Sequence, residues 1–332
     1  LRGRQSSSIE DSDQPKTWRQ RRYFFYLSGV DFADCVVTYD IGADSLRLFI
    51  PTIDPKSVIW LGATPSIKEC EEKYDVDIVQ TNNEINDFLV DWLYKREKPT
   101  IYILHDDQGP RMLQLRPEDY ALLGLRKVLN SSLLLPAIDA ARVVKSDYEV
   151  ALIRKANDIS SWAHRGVLYE LVEASNERHI EAMFLGNCVF KGAKRQAYGI
   201  IAGSGENAST LHYEDNDQSL NGRQLVCLDA GCEWNCYASD ITRTFPISGT
   251  FTEEAQNIYS LVQDMQEECI KRIKPGVVFH DLHVLAMDIA VMGLLKLGVL
   301  HNGNFRDVYS CGRIFFPHGV SILTFNGYHF LI

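Results

Sequence analysis

No uninterrupted apolar run in this sequence reaches the length needed to span a bilayer, which excludes a transmembrane helix of the ordinary kind. Nothing near the start has the order of a secretory signal, although the chain begins at Leu1 rather than methionine and that absence carries little weight. Positive charge is short: 34 lysines and arginines face 44 aspartates and glutamates, for a net charge of −10. A chain so acidic is not expected to bind nucleic acid, nor to be drawn to a membrane surface of anionic lipid. The eight cysteines have no framework spacing. Cys227, Cys232 and Cys236 cluster, but their gaps do not make a CxxC pair, so neither a disulfide scaffold nor a zinc knuckle is expected. A reducing, cytoplasmic location fits such scattered thiols.

What is present suits one large or two ordinary domains: 332 residues, 45% of them hydrophobic. Residues 1–15 are polar and are expected to be a mobile lead-in. Strand candidates follow at Tyr23–Ser28, Cys35–Tyr39, Leu46–Ile50, Val58–Leu61 and Thr100–Leu104, with helices at Ser66–Tyr74 and Asn82–Arg96. This α+β region, 16–145, carries no motif with chemistry of its own, and its boundary is expected near Pro136–Lys145. Ser146 and Glu149 then form a capping-box pattern. It opens a long helix with the apolar face Val150, Ile153, Ala156, Ala163, Val167 and Leu171. A second helix is expected at about Glu177–Phe190, a strand at Tyr198–Ala202, and two more helices after Thr252 and over 281–297. The first of that last pair carries the stripe Ala255, Ile258, Val262, Met265 and Cys269.

The stretch Leu225–Phe245 reads as a β-hairpin, two strand-like runs around a polar segment with Gly231 and Asn235. Symmetric closure with a loop longer than two residues sets Asp229 opposite Asp240, Leu228 opposite Ile241 and Cys227 opposite Thr242. Asp229, Asp240 and Thr242 then share one face, while Leu228 and Ile241 can bury on the other. Facing carboxylates repel unless a cation lies between them or one is protonated. They also suit a pair of divalent ions. On spacing alone, unrelated turn or capping aspartates are the commoner alternative. His212, after a strand, has the same two readings, structural or functional. His280, Asp281 and His283 read as the polar start of a helix, since the histidines lack the i, i+4 spacing of a helical zinc pair.

The sequence around these residues resembles the Xaa-Pro aminopeptidase and prolidase family. The likeness rests on Arg-Gln-Arg-Arg-Tyr-Phe-Phe-Tyr-Leu-Ser-Gly at 19–29, Leu-Phe-Ile-Pro at 48–51 and Ala208-Ser-Thr-Leu-His212-Tyr. It continues through Ser239-Asp240-Ile-Thr-Arg-Thr-Phe-Pro and Ile314-Phe-Phe-Pro-His318-Gly319. The N-terminal stretch is nearest to the fungal-type aminopeptidases. The resemblance implies an α+β chain: a creatinase/prolidase-like α/β domain over 16–145, then a truncated pita-bread catalytic domain over 146–319. It implies Asp229 and Asp240 as ligands of two manganese ions, with His212 and His318 as catalytic candidates near the metals. It also implies peptides with proline at the second position as substrates, release of the N-terminal residue as the reaction, and a possible homodimer. Cleavage of Xaa-Pro dipeptides and a non-catalytic binding protein of the same fold are the alternatives.

The match stops at Gly319. The family's His-Gly-x-x-His motif would place a second, metal-binding histidine where Ile322 stands. The two glutamates that complete the family's ligand set have no counterpart before Ile332, and 320–332 reads as an unrelated tail. His329 lacks the flanking pattern. The expectation for the 332 residues as written is therefore an incomplete site with impaired hydrolysis, as in a truncated or misread gene product.

Overall fold

Residues 1–52, 55–108 and 125–301 are described by a computed structural model of the chain, which divides into two units, Leu1–Ser146 and Asp147–Ile332. In the first, Tyr23–Ser28 is helical rather than extended. Phe24, Phe25 and Ser28 bury along one side of α1 (Arg22–Ser28), and Gly29, at φ 66°, ends it by donating its N–H to the Phe25 carbonyl. The aromatic content that reads as strand here fills a core. Strands β1 (Val36–Asp40) and β2 (Ser45–Ile50) pair antiparallel. The expected strand Val58–Leu61 instead lies in α2 (Pro55–Leu61), whose first residue is the proline that suits a helix start.

Helix α3 (Ile67–Lys73) opens on a capping box between Ser66 and Glu69. Strand β3 (Ile78–Thr81) joins β2 in parallel, completing a sheet of order β1-β2-β3. Helix α4 (Ile85–Tyr94) buries Leu89. Strand β4 (Ile101–Tyr102) pairs in parallel with β5 (Leu129–Asn130), which follows α5 (Leu125–Val128). The stretch read as a boundary contains most of α6 (Leu134–Val143). Residues 1–15 are not a free lead-in. Val37 N–H donates to the Leu1 carbonyl at 2.9 Å and Gly3 N–H to Cys35 at 2.8 Å, so the first residues satisfy the open edge of β1. Polar composition does not register such backbone pairing.

In the second unit, α7 (Asp147–Glu170) and α8 (Glu177–Phe190) lie together. Ala156, Ala163 and Val167 of the expected stripe are buried, but Leu152 and Ile159 take the places of Val150 and Ile153. Against them stand two small antiparallel sheets. One, of order β10-β9-β6, contains β6 (Arg195–Gln196), β9 (Cys232–Trp234) and β10 (Tyr237–Ala238). The other, of order β11-β8-β7, contains β7 (Ile201–Ser204), β8 (Leu225–Asp229) and β11 (Thr242–Pro246). Alternation along β8 sends Val226 and Leu228 into the core beside Phe184 and leaves Leu225, Cys227 and Asp229 on the opposite, half-open face.

Helices α9 (Glu253–Lys271) and α10 (Phe279–Lys296) close the described chain. No residue of α9 is fully buried among those described, so its stripe does not enter the core; it meets α10, where Leu261 packs on Gly293. Thr252 caps α9, its hydroxyl accepting from Ala255 N–H at 3.2 Å. Thr252→Ala is expected to cost about 1 kcal/mol in chemical denaturation.

Candidate active site

The turn of the hairpin is tighter than its sequence signals. Asn235 and Cys236, both at positive φ (47° and 63°), form a two-residue loop of the type that matches strand twist. Trp234 pairs with Tyr237, and the same register carries Asp229 to Thr242, Leu228 to Arg243 and Cys227 to Thr244. The expected pairing of Asp229 with Asp240 is thus corrected by two residues. Because side chains alternate with period 2, a two-residue slip preserves the faces. Leu228 and Ile241 are buried, and both aspartates remain half-buried.

Asp240 lies across from Gly231, in the break between the two sheets. Ala230 N–H donates to Ile241 at 3.1 Å and Ser239 N–H to Cys232 at 3.0 Å on either side of it. A Cβ on Gly231 would stand 2.0 Å from the Ser239 carbonyl oxygen, so only glycine allows this approach.

Tyr198, between β6 and β7, joins the two acids. Its hydroxyl lies 2.5 Å from Asp229 Oδ1 and 2.9 Å from Asp240 Oδ1. One phenolic proton serves two carboxylates. Burial, followed by the hydrogen bond and charge of Asp229 and then the influence of Asp240, raises the Tyr198 pKa and keeps the hydroxyl protonated. Two converging carboxylates offer hard oxygen donors and excess negative charge, which suit a hard divalent cation. Among the described residues no group of three His, Cys, Asp or Glu side chains is placed to hold a metal. His318, the Ile314–Gly319 match and Ile322 lie outside the described residues.

Tyr198→Phe removes the shared proton donor while keeping the ring. It is expected to weaken divalent-ion affinity by about tenfold, the scale of an outer-shell loss, as read by manganese titration.

The hairpin rests on polar groups of α7. Ser160 Oγ accepts from Cys232 N–H at 2.9 Å and lies 2.7 Å from Ser239 Oγ. His164 Nε2 lies 3.1 Å from the Ala230 carbonyl, so it donates there as the Nε2–H tautomer, with its ring edge-on to Phe184. Burial lowers the His164 pKa and favours the neutral ring. Sequence reasoning missed Tyr198, Ser160 and His164 as site residues. The one available signal was two polar residues interrupting the apolar stripe of α7.

His212 is exposed, on a loop that leaves β7 and returns along it. Asn216, itself buried, takes the place of a neighbouring strand: its Oδ1 accepts from Ala202 N–H at 2.9 Å and its Nδ2 donates to Ile200 O at 2.8 Å. Between them the Glu214 side chain lies over Gly199, next to Tyr198. An open cleft of about 810 Å³ has Leu225, Cys227 and Thr244 as its floor, the face that also carries Asp229, and Glu206, Ala208 and Arg223 among its walls.

The profile of metallopeptidase family M24 matches residues 151–323, and that of the aminopeptidase P N-terminal domain matches residues 1–102. The chain is 49% identical over 327 residues to a probable Xaa-Pro aminopeptidase of Metarhizium acridum, covering 96% of this chain and 62% of that protein. It is 51% identical over 326 residues to one of Aspergillus niger, covering 96% and 64%. It thus spans about three fifths of the length of these relatives. Zinc-substituted Escherichia coli aminopeptidase P in complex with product superposes with a TM-score of 0.79 at 28% identity, over 94% of this chain and 72% of that one. The fold is accordingly that of aminopeptidase P, an N-terminal domain followed by pita-bread architecture. The chain belongs to metallopeptidase family M24, the family of the Xaa-Pro aminopeptidases that it resembles.

Proposed function

We propose that the protein is a metal-dependent Xaa-Pro aminopeptidase, hydrolysing the bond between an N-terminal residue and a penultimate proline, with manganese as its metal, and that with Ile322 in place of the family's motif histidine this hydrolysis is impaired in the 332 residues as written. The observation that carries this reading is the convergence of Asp229 and Asp240 on the single hydroxyl of Tyr198. Two acids so placed favour a cation between them, and membership of a metallopeptidase family supports a divalent one. Asp229 and Asp240 would hold it, and when bound it supplies a Lewis acid for the scissile carbonyl and a more acidic water.

The chain's own groups do the rest. Tyr198 stays protonated and orients both carboxylates, and the Gly231 approach holds Asp240 in line with Asp229. His212 hydrogen-bonds the substrate carbonyl as negative charge develops on its oxygen. By the family resemblance His318 is a second catalytic candidate. The open cleft along Cys227 and Thr244, on the face that carries Asp229, has room for an extended peptide, which supports longer peptides over dipeptides. A cytoplasmic location and a homodimer belong to the same reading, supported by cysteines without framework spacing and by the family resemblance.

With manganese present, the protein is expected to release the first residue of a Xaa-Pro-Xaa peptide at least as readily as it cleaves a Xaa-Pro dipeptide. Exclusive dipeptide cleavage would reject the aminopeptidase in favour of a prolidase.

A further inference from the structure

Among the described residues Glu177 is a fully buried acid with five hydrogen-bond donors, and neither the hairpin nor the carboxylate pair uses it. It is the first residue of α8 and has no exposed surface. Its Oε1 accepts from Ser204 N–H at 2.8 Å, Ser204 Oγ–H at 2.6 Å and Asn207 Nδ2 at 3.0 Å. Its Oε2 accepts from Tyr213 Oη–H at 2.7 Å and Gln218 N–H at 3.1 Å. Burial by itself would raise the carboxyl pKa, but these donors outweigh it and hold the group below the usual glutamate range. A fully buried carboxylate is costly unless its lone pairs are satisfied, and here five donors satisfy them.

All five donors come from one segment, Ser204 to Gln218. They fasten it at its start, at Asn207, at Tyr213 and at its end. His212 is the neighbour of Tyr213, and it is exposed while its anchor is not. One backbone bond and one side-chain bond complete the closure: Glu177 N–H donates to the Gln218 carbonyl at 2.9 Å, and the Asn176 side-chain Nδ2 to Asp217 O at 2.8 Å. We propose that Glu177 is the positioning residue for His212: one buried carboxylate gathers the loop from 204 to 218 and fixes where the imidazole is presented. This rests on His212 contacting substrate, as in the function proposed above.

Glu177→Gln tests it, because an amide keeps the shape but can replace only one acceptor oxygen and turns an NH₂ toward donors. Amide hydrogen exchange across 204–218 is expected to rise by about tenfold or more, with 225–246 and α7 changed by less than about twofold. In the parent the His212 ring is expected to give a resonance distinct from that of free histidine, and in the variant that resonance is expected to move toward the free-histidine position. Neither readout needs metal or substrate, so both stand if the peptidase reading fails.

With a Xaa-Pro peptide and manganese, kcat should fall in Glu177→Gln, and the pair Glu177→Gln/His212→Ala should be no worse than His212→Ala alone. Unchanged loop exchange, or exchange rising equally in the hairpin and α7, would overturn the positioning role. So would full additivity of the two substitutions. Parent protein that does not hydrolyse the peptide overturns the peptidase reading instead.

Discussion

If the proposed function holds, replacing Asp229 with asparagine is expected to lower kcat/KM for a Xaa-Pro peptide by roughly a thousandfold while leaving the metal-free protein at least as stable as the parent. The two halves of this result have opposite causes. Asp229 and Asp240 both accept from the one Tyr198 hydroxyl, so in the metal-free state two like charges converge and repel. Asparagine keeps the shape, removes one charge and can itself hydrogen-bond, which relieves that repulsion. With metal the sign is expected to reverse, because on the proposed function the substitution takes away an anionic ligand, and Lewis-acid stabilisation of the transition state is worth several kcal/mol. Parallel measurement of turnover and of thermal unfolding in chelator checks both. A variant that loses stability and activity together would make Asp229 a structural residue of β8.

The second large effect is on folding. Gly231→Ala is expected to destabilise the protein by about 3 kcal/mol, the upper end of the overpacking range. The new Cβ would meet backbone, the Ser239 carbonyl at 2.0 Å and Asp240 N at 3.1 Å, and backbone cannot rotate away as a side-chain end can. The Gly231 carbonyl is held from the other side by Ala197 N–H at 2.8 Å, so the hairpin has no free direction in which to open. The urea midpoint should fall at constant slope. A shift of less than about 0.5 kcal/mol would mean that the break between the sheets tolerates a side chain.

Much of the second unit could be read from the residues. The helix at Glu177–Phe190 coincides with its expected bounds because the apolar spacing of Ile180, Phe184 and Cys188 and the cap Asn176 agree with each other. The long helix keeps most of its expected face, Ala156, Ala163, Val167 and Leu171, and differs only in that Leu152 and Ile159 bury in place of the equally apolar Val150 and Ile153. In the first unit, Tyr23–Ser28 and Val58–Leu61 carry aromatic and β-branched residues that favour strands, and tertiary packing and Pro55 turned both into helices.

The carboxylate face of the hairpin was legible through period 2, although the register was not. Cys236 at positive φ gives no glycine-like signal, so the loop looked longer than it is. Tyr198, His164 and Glu177 were beyond reach for a different reason. Their roles come from contacts across 27 to 66 positions of chain, which no local pattern encodes.

Manganese binding followed by electron paramagnetic resonance tests the paired carboxylates most directly, because bound ion loses the sharp six-line signal of the free ion. The parent should remove that signal saturably, and Asp240→Asn should shift the titration to far higher manganese concentration. Binding that is unchanged in Asp240→Asn, or no saturable binding by the parent, would contradict the assignment of Asp229 and Asp240 as the metal-holding pair.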